Sequence, residues 1–182
     1  MNEVTEKREV YISVDVETSG PVPGLYALLT IGACAVEDDG QVFSCALKPT
    51  TRNADPKALE ITGLSLDDLE REGLDPAAAM TQFRQWILEV AADGTPVFVG
   101  LNAAFDWAFV NDYFHRYLGE NPFGFAPLDI KAYYMGATRC TWSDTRSSKM
   151  AARLNPQLHG DHDALHDARY QAELFRLIRE IA

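Results

Sequence analysis

Apolar and polar residues alternate near the start of the chain. Val10, Ile12, Val14 and Val16 interleave with Tyr11, Ser13, Asp15 and Glu17, the period of two that marks a β-strand. Two further apolar runs, residues 28–36 and 41–47, flank Asp38-Asp39-Gly40, which reads as a hairpin turn. With Pro21-Val22-Pro23-Gly24 reversing the chain between the first two runs, the three strands form an antiparallel meander.

Beyond Pro49 the period lengthens. Asp55-Pro56 opens a short helix that Gly63 ends, and Asp75-Pro76 opens a longer one ending near Asp93-Gly94; Pro suits a first helical turn and Gly a helix end. In the longer helix Met80, Phe83, Ile87 and Val90 form an apolar stripe. Residues 96–100 read as a short buried strand, 103–118 as a helix and 127–130 as another strand. A last helix runs from near Asp163 to the C-terminus with Leu165, Ala168, Ala172, Phe175 and Ile178 inward. Three antiparallel strands followed by two helix-linked parallel strands predict an α/β fold, a mixed five-stranded sheet flanked by helices. No repeat divides the chain, so residues 1–182 are expected to form one domain.

Composition supports a packed core: 47% of the 182 residues are hydrophobic and 24% charged. No apolar run reaches the roughly 18 residues that span a bilayer, so no membrane partner is expected. The charged N-terminal nine residues lack the apolar core of a signal peptide, which implies a cytoplasmic protein. Cys34, Cys45 and Cys140 show no metal-binding spacing and read as reduced thiols. The net charge of −11 argues against long-range attraction to nucleic acid.

Three acidic motifs carry candidate chemistry. Asp15 and Glu17, two apart on the first strand, share a sheet face roughly 7 Å apart at about 3.3 Å per residue, a separation that brackets metal ions. Asn102-Ala103-Ala104-Phe105-Asp106 follows a strand; Asn102 reads as an N-cap, with Asp106 one turn into the helix. The segment from His159 to Ala168 holds three of the four histidines. His162 and His166, four apart, are spaced for zinc on one helix face. In the other reading His162 and Asp167 work together. Five helical residues rotate about 140°, so this requires Asp163 to be the N-cap, leaving His162 in the preceding loop.

Taken together, the motifs resemble those of the DEDDh exonuclease family. Asp15-Val16-Glu17-Thr18-Ser19-Gly20 is similar to its first motif, Asn102 to Asp106 to its second, and His162-Asp163-Ala164-Leu165-His166-Asp167-Ala168 to its third. Thr62-Gly63-Leu64 resembles a family loop near the substrate's 3′ end, and Leu101 stands where many members carry a histidine. The resemblance implies an RNase H-like fold and a 3′→5′ exonuclease releasing nucleoside 5′-monophosphates from single-stranded DNA or RNA. It further implies that Asp15, Glu17, Asp106 and Asp167 hold two Mg²⁺ or Mn²⁺, with His162 the general base. Thr18, Thr62 and Asn102 would line the terminal nucleotide's site. Known members include homodimers, which adds a second copy of the chain to the implied partners.

Rival readings remain at this stage: an RNase H-like endonuclease, a catalytically silent nucleic-acid-binding subunit, and a zinc protein. The charge is also unevenly spread. Residues 130–160 carry Lys131, Arg139, Arg146, Lys149 and Arg153 against Asp144 alone, a net +4 that leaves −15 for the rest. Tyr133, Tyr134 and Trp142 are interleaved there, a mixture suited to phosphates and bases and equally to a solvated basic loop.

Overall fold

Residues 7–182 are described by a computed structural model; residues 1–6, most of the charged N-terminal segment, lie outside the described residues. Strand β1 (Glu9–Thr18) pairs antiparallel with β2 (Leu28–Ala35), and β2 pairs antiparallel with β3 (Asp38–Ala46). On its other edge β1 pairs in parallel with β4 (Thr95–Gly100), which pairs in parallel with β5 (Leu128–Asp129). The order β3-β2-β1-β4-β5 gives the mixed five-stranded sheet expected from the alternation pattern, and it agrees with the RNase H-like fold that the family resemblance implies.

Helices α1 (Pro56–Thr62), α2 (Leu66–Glu72) and α3 (Pro76–Ala91) link β3 to β4, and α4 (Ala104–Leu118) links β4 to β5. After β5 come α5 (Ile130–Thr138), a 3-10 turn (Trp142–Thr145), α6 (Ser147–Leu154) and α7 (Ala164–Ile181). Asp55 and Asp75 cap α1 and α3 by accepting from the N–H groups of Lys57 and Ala77, each at 2.9 Å. Among the described residues no helix is long and apolar enough to cross a membrane.

The hairpin turn differs from the expected one. The chain reverses at Val36-Glu37, and Asp38-Asp39-Gly40 begins β3 as an irregularity in which Ala35 pairs with Asp38 but Cys34 with Val42. Asp38 accepts from the Gly40 N–H (3.1 Å) and the Gln41 amide (2.8 Å). The local turn chemistry is present, but it builds a bulge instead of the reversal.

Central strand β1 is covered on both faces. Ile12, Val14 and Val16 pack with Met80, Phe83 and Ile87 of α3 and Phe109, Val110 and Phe114 of α4. The second core gathers Val99, Ile130, Tyr134, Met150, Tyr170 and Phe175, with Tyr11 packed against it. Cys34 and Cys45 are free thiols whose pKa burial raises to about 11 and about 12, consistent with neutral packing groups.

One glycine sets how closely α7 approaches the sheet. Gly32 is the register partner of Asp15 on β2, and a Cβ there would lie 2.1 Å from the backbone carbon of Ala164, first residue of α7. Backbone on both sides leaves nothing that can yield. Gly32→Ala is therefore expected to lower stability by about 1–3 kcal/mol. Gly136→Ala, inside α5 with nothing within 4 Å, is expected to raise it by roughly 0.5–1 kcal/mol. Urea unfolding of both variants checks the pair; equal effects would contradict the close approach.

Candidate active site

Asp15 and Glu17 lie on the β1 face covered by α7, as their spacing requires. β4 accompanies β1 only as far as the pair Ser13–Val99. Farther along β1, the backbone N–H of Val16 donates to Asp106 Oδ1 at 3.1 Å. The buried first-turn carboxylate of α4 thereby docks between Asp15 and Glu17 and meets the need of a buried N–H for a partner.

Asn102 is not the N-cap of α4. It is an exposed residue at φ 65°, and the helix is preceded by Ala103, which has no side-chain cap. The role passes to β5: Asp129 Oδ2 accepts from the Ala103 N–H at 2.7 Å, while its Oδ1 accepts from Ala132 at the start of α5. A residue 26 positions away was invisible to a rule that reads neighbours.

Asp163 does cap α7, accepting from the N–H groups of Leu165 and His166, each at 3.0 Å. His162 then sits before the helix in a left-handed conformation (φ 64°). The loop is held to the helix because the Asp161 N–H donates to Asp167 Oδ1 at 2.9 Å. Ligand-type atoms of Glu17, His162 and Asp167 lie within 4.8 Å of one another. His166 instead places Nδ1 3.0 Å from Asp161 Oδ2, so the helix-face pair with His162 that zinc would need does not form.

Gln171 was missed by the sequence reading. It is buried, its Nε2 donates to Asp15 Oδ1 at 2.5 Å, and its Oε1 accepts from the Leu101 N–H at 2.8 Å. A backbone N–H must meet the carbonyl oxygen, so the NH₂ faces Asp15. The available signal was its place four residues after Asp167, on the same helix face. Asp15, Asp167, His162 and Gln171 line a cleft of about 290 Å³ with Leu101, Ser147, Gly160 and Tyr170. Leu101 presents an apolar wall there. Thr18 and Thr62 spend their hydroxyls locally, donating to Gly20 O (2.9 Å) and Ala58 O (3.1 Å).

The electrostatics follow from this crowding. Burial raises Asp15 well above the usual carboxylate range, and Asp106, Asp167 and Glu17 raise it further against the Gln171 hydrogen bond. Burial, then Asp167 and Asp163, raises Glu17 to about 7. Burial likewise raises Asp106, opposed by the Val16 N–H. Oxygen donors that repel one another, beside one imidazole, fit hard divalent cations.

A carboxyl whose pKa is higher folded than unfolded leaves stability untouched below its unfolded value near 4 and erodes it as pH rises through the folded value. For Glu17 that window is about 4 to 7. In EDTA, Tm is expected to fall between pH 5 and 8, and Mg²⁺ or Mn²⁺ should restore it more at pH 8. Asp15→Asn, which keeps the acceptor for Gln171, should raise the metal-free Tm at pH 8 by about 2–6 °C. Thermal unfolding checks this; an unchanged pH slope in Asp15→Asn would count against the repulsion.

Comparison with known proteins places this geometry. The sequence matches the exonuclease family RNase_T over residues 12–175. It is 57% identical over 176 residues to the 3′-5′ DNA exonuclease Cap18 of Escherichia coli, an alignment covering 96% of this chain and 94% of that protein. The nuclease domain of 3′hExo, a DEDDh family member solved with rAMP, superposes with a TM-score of 0.75 at 14% identity, covering 94% of this chain and 92% of that one. E. coli exonuclease I, solved with a dT13 oligonucleotide, gives 0.73 at 18% identity; 96% of this chain matches 42% of that one. The chain belongs to the RNase_T exonuclease family and is a 3′→5′ exonuclease of the DEDDh type.

Proposed function

We propose that the chain, as one domain, removes nucleotides from the 3′ end of single-stranded DNA and releases nucleoside 5′-monophosphates. The observation that carries this reading is the convergence of Glu17, His162 and Asp167 beside the half-buried Asp15 and the buried Asp106. DNA is favoured over RNA because the relative at 57% identity is named a DNA exonuclease.

Asp15, Glu17, Asp106 and Asp167 are the residues that would hold two Mg²⁺ or Mn²⁺. Such ions, when bound, neutralise the carboxylates and stabilise charge developing on a phosphodiester. His162, exposed on its left-handed loop and tied through Asp161 to Asp167, takes a proton from the attacking water. The water oxygen bonds to phosphorus, the bond to the 3′ oxygen breaks, and that oxygen takes a proton from solvent water, so the shortened strand keeps a 3′ hydroxyl. Gln171 fixes the orientation of Asp15, and Leu101 limits water on one side of the cleft. Asn102, with its exposed side chain, is the best placed of the three suggested substrate contacts, whereas Thr18 and Thr62 shape their loops.

A 5′-labelled strand incubated with Mg²⁺ or Mn²⁺ should shorten stepwise from its 3′ end, faster as DNA than as matched RNA, while a circular strand stays intact. Asp167→Asn should reduce the rate at least about a thousandfold, and His162→Ala about 10²–10⁴-fold. Undiminished activity in Asp167→Asn, or cleavage of the circle, would overturn the assignment.

A further inference from the structure

The basic segment between β5 and α7 folds beside the cleft. Ser147, first residue of α6, lines the cleft with Asp15, His162 and Asp167. Its Oγ lies 2.9 Å from the Tyr170 hydroxyl on α7, so the start of α6 is tied to the helix that carries Asp167. Immediately before α6 comes the 3-10 turn Trp142–Thr145. Trp142 is 55% exposed. Lys131 Nζ sits 4.4 Å from its ring centroid, a cation on one aromatic face that leaves the rest of the ring open to solvent.

The cations here differ in how they are engaged. Lys149 pairs with Asp144 at 2.7 Å, and Arg153 lies over the Tyr134 ring at 5.8 Å. Arg139 and Arg146 are exposed and form no ion pair among the described residues. Arg146 precedes the first turn of α6, where no side chain caps the free N–H groups. A protein at −11 thus carries two unpaired guanidinium groups and an open indole on the short stretch that leads into Ser147, the residue of this segment that lines the acidic cleft.

We propose that the surface formed by Arg139, Trp142 and Arg146 binds the part of a single strand lying 5′ to the nucleotide being removed. Trp142 stacks a base, Lys131 braces the ring from behind, and Arg139 and Arg146 take phosphates. This deepens the proposed function and rests on it in one respect: the cleft must be where the 3′ end is held. Stacking and phosphate contacts carry little sequence information, so the surface grips any strand long enough to reach from the cleft to the turn.

The test compares two phosphodiesters under the same conditions, a 5′-labelled 12-nucleotide oligothymidylate and the p-nitrophenyl ester of thymidine 5′-monophosphate, which has no upstream strand. Trp142→Ala and Arg146→Glu should each raise KM for the oligonucleotide about tenfold and leave turnover of the ester within twofold. Reversing both Arg139 and Arg146 should flatten the log–log salt dependence of oligonucleotide binding by at least about 1.4. Fluorescence anisotropy of the labelled strand in EDTA, where chelation prevents metal-dependent turnover, should show Kd weakening in parallel. Unchanged KM and Kd would overturn the surface, and so would equal losses on both substrates. If the unaltered chain hydrolyses neither substrate, the catalytic reading fails, while the anisotropy series still decides the surface.

Discussion

Carboxylates crowded behind one cleft repel one another, and much of the fold serves to hold them there. Asp106 is buried, and burial pushes both it and Asp15 toward the protonated form. Three hydrogen bonds from neutral donors hold the arrangement: Val16 N–H to Asp106, the Gln171 amide to Asp15, and Asp161 N–H to Asp167. Each donor is a backbone or amide group. A cationic partner would compete with divalent ions for the same oxygens, whereas a neutral donor orients the carboxylate and leaves its charge available.

The approach of α7 to the sheet is the second requirement. Asp15 and Asp167 belong to elements more than 150 residues apart in sequence, and they meet because Gly32, beside Asp15 in the register, presents no side chain to Ala164. Gly160 repeats the device on a smaller scale, since a Cβ there would come 2.9 Å from Asp167 Oδ1. The loop bearing His162 can therefore lie flat against the carboxylate. Two small residues, neither of which does chemistry, decide whether His162 and the carboxylates share one cleft.

Much of this was legible in the residues. Alternation along β1 placed Asp15 and Glu17 on one face, and the capping preference of Asp163 correctly removed His162 from the helix. Local rules failed where a distant residue supplied the partner. Asn102 looked like a cap, but Asp129 from β5 satisfies the Ala103 N–H instead. Asp38-Asp39-Gly40 looked like a reversal and became a bulge because the chain had already turned at Val36-Glu37. Gln171 carried no motif, since its value lies in two contacts, to Asp15 and to the Leu101 backbone, that exist only after α7 packs on β1 and β4. Elements in the basic segment 130–160 were likewise unassigned, because α5 and α6 span only 9 and 8 residues, too few turns for an apolar period to stand out.

Charge ties the site to its substrate. An enzyme this acidic repels a polyanion at a distance, and the Debye length of about 8 Å at physiological salt confines any attraction to contact range. In the proposed reading, holding the terminal phosphate inside the cleft then depends on cations held by the acids. Isothermal titration of the chain with Mn²⁺ near pH 7, repeated in buffers of different ionisation enthalpy, tests that claim most directly. Two ions per chain should bind and displace protons from the raised carboxyls, with fewer protons released at pH 9 and both effects reduced in Asp15→Asn. Failure to bind Mn²⁺, or binding without proton release that Asp15→Asn leaves unchanged, would contradict it.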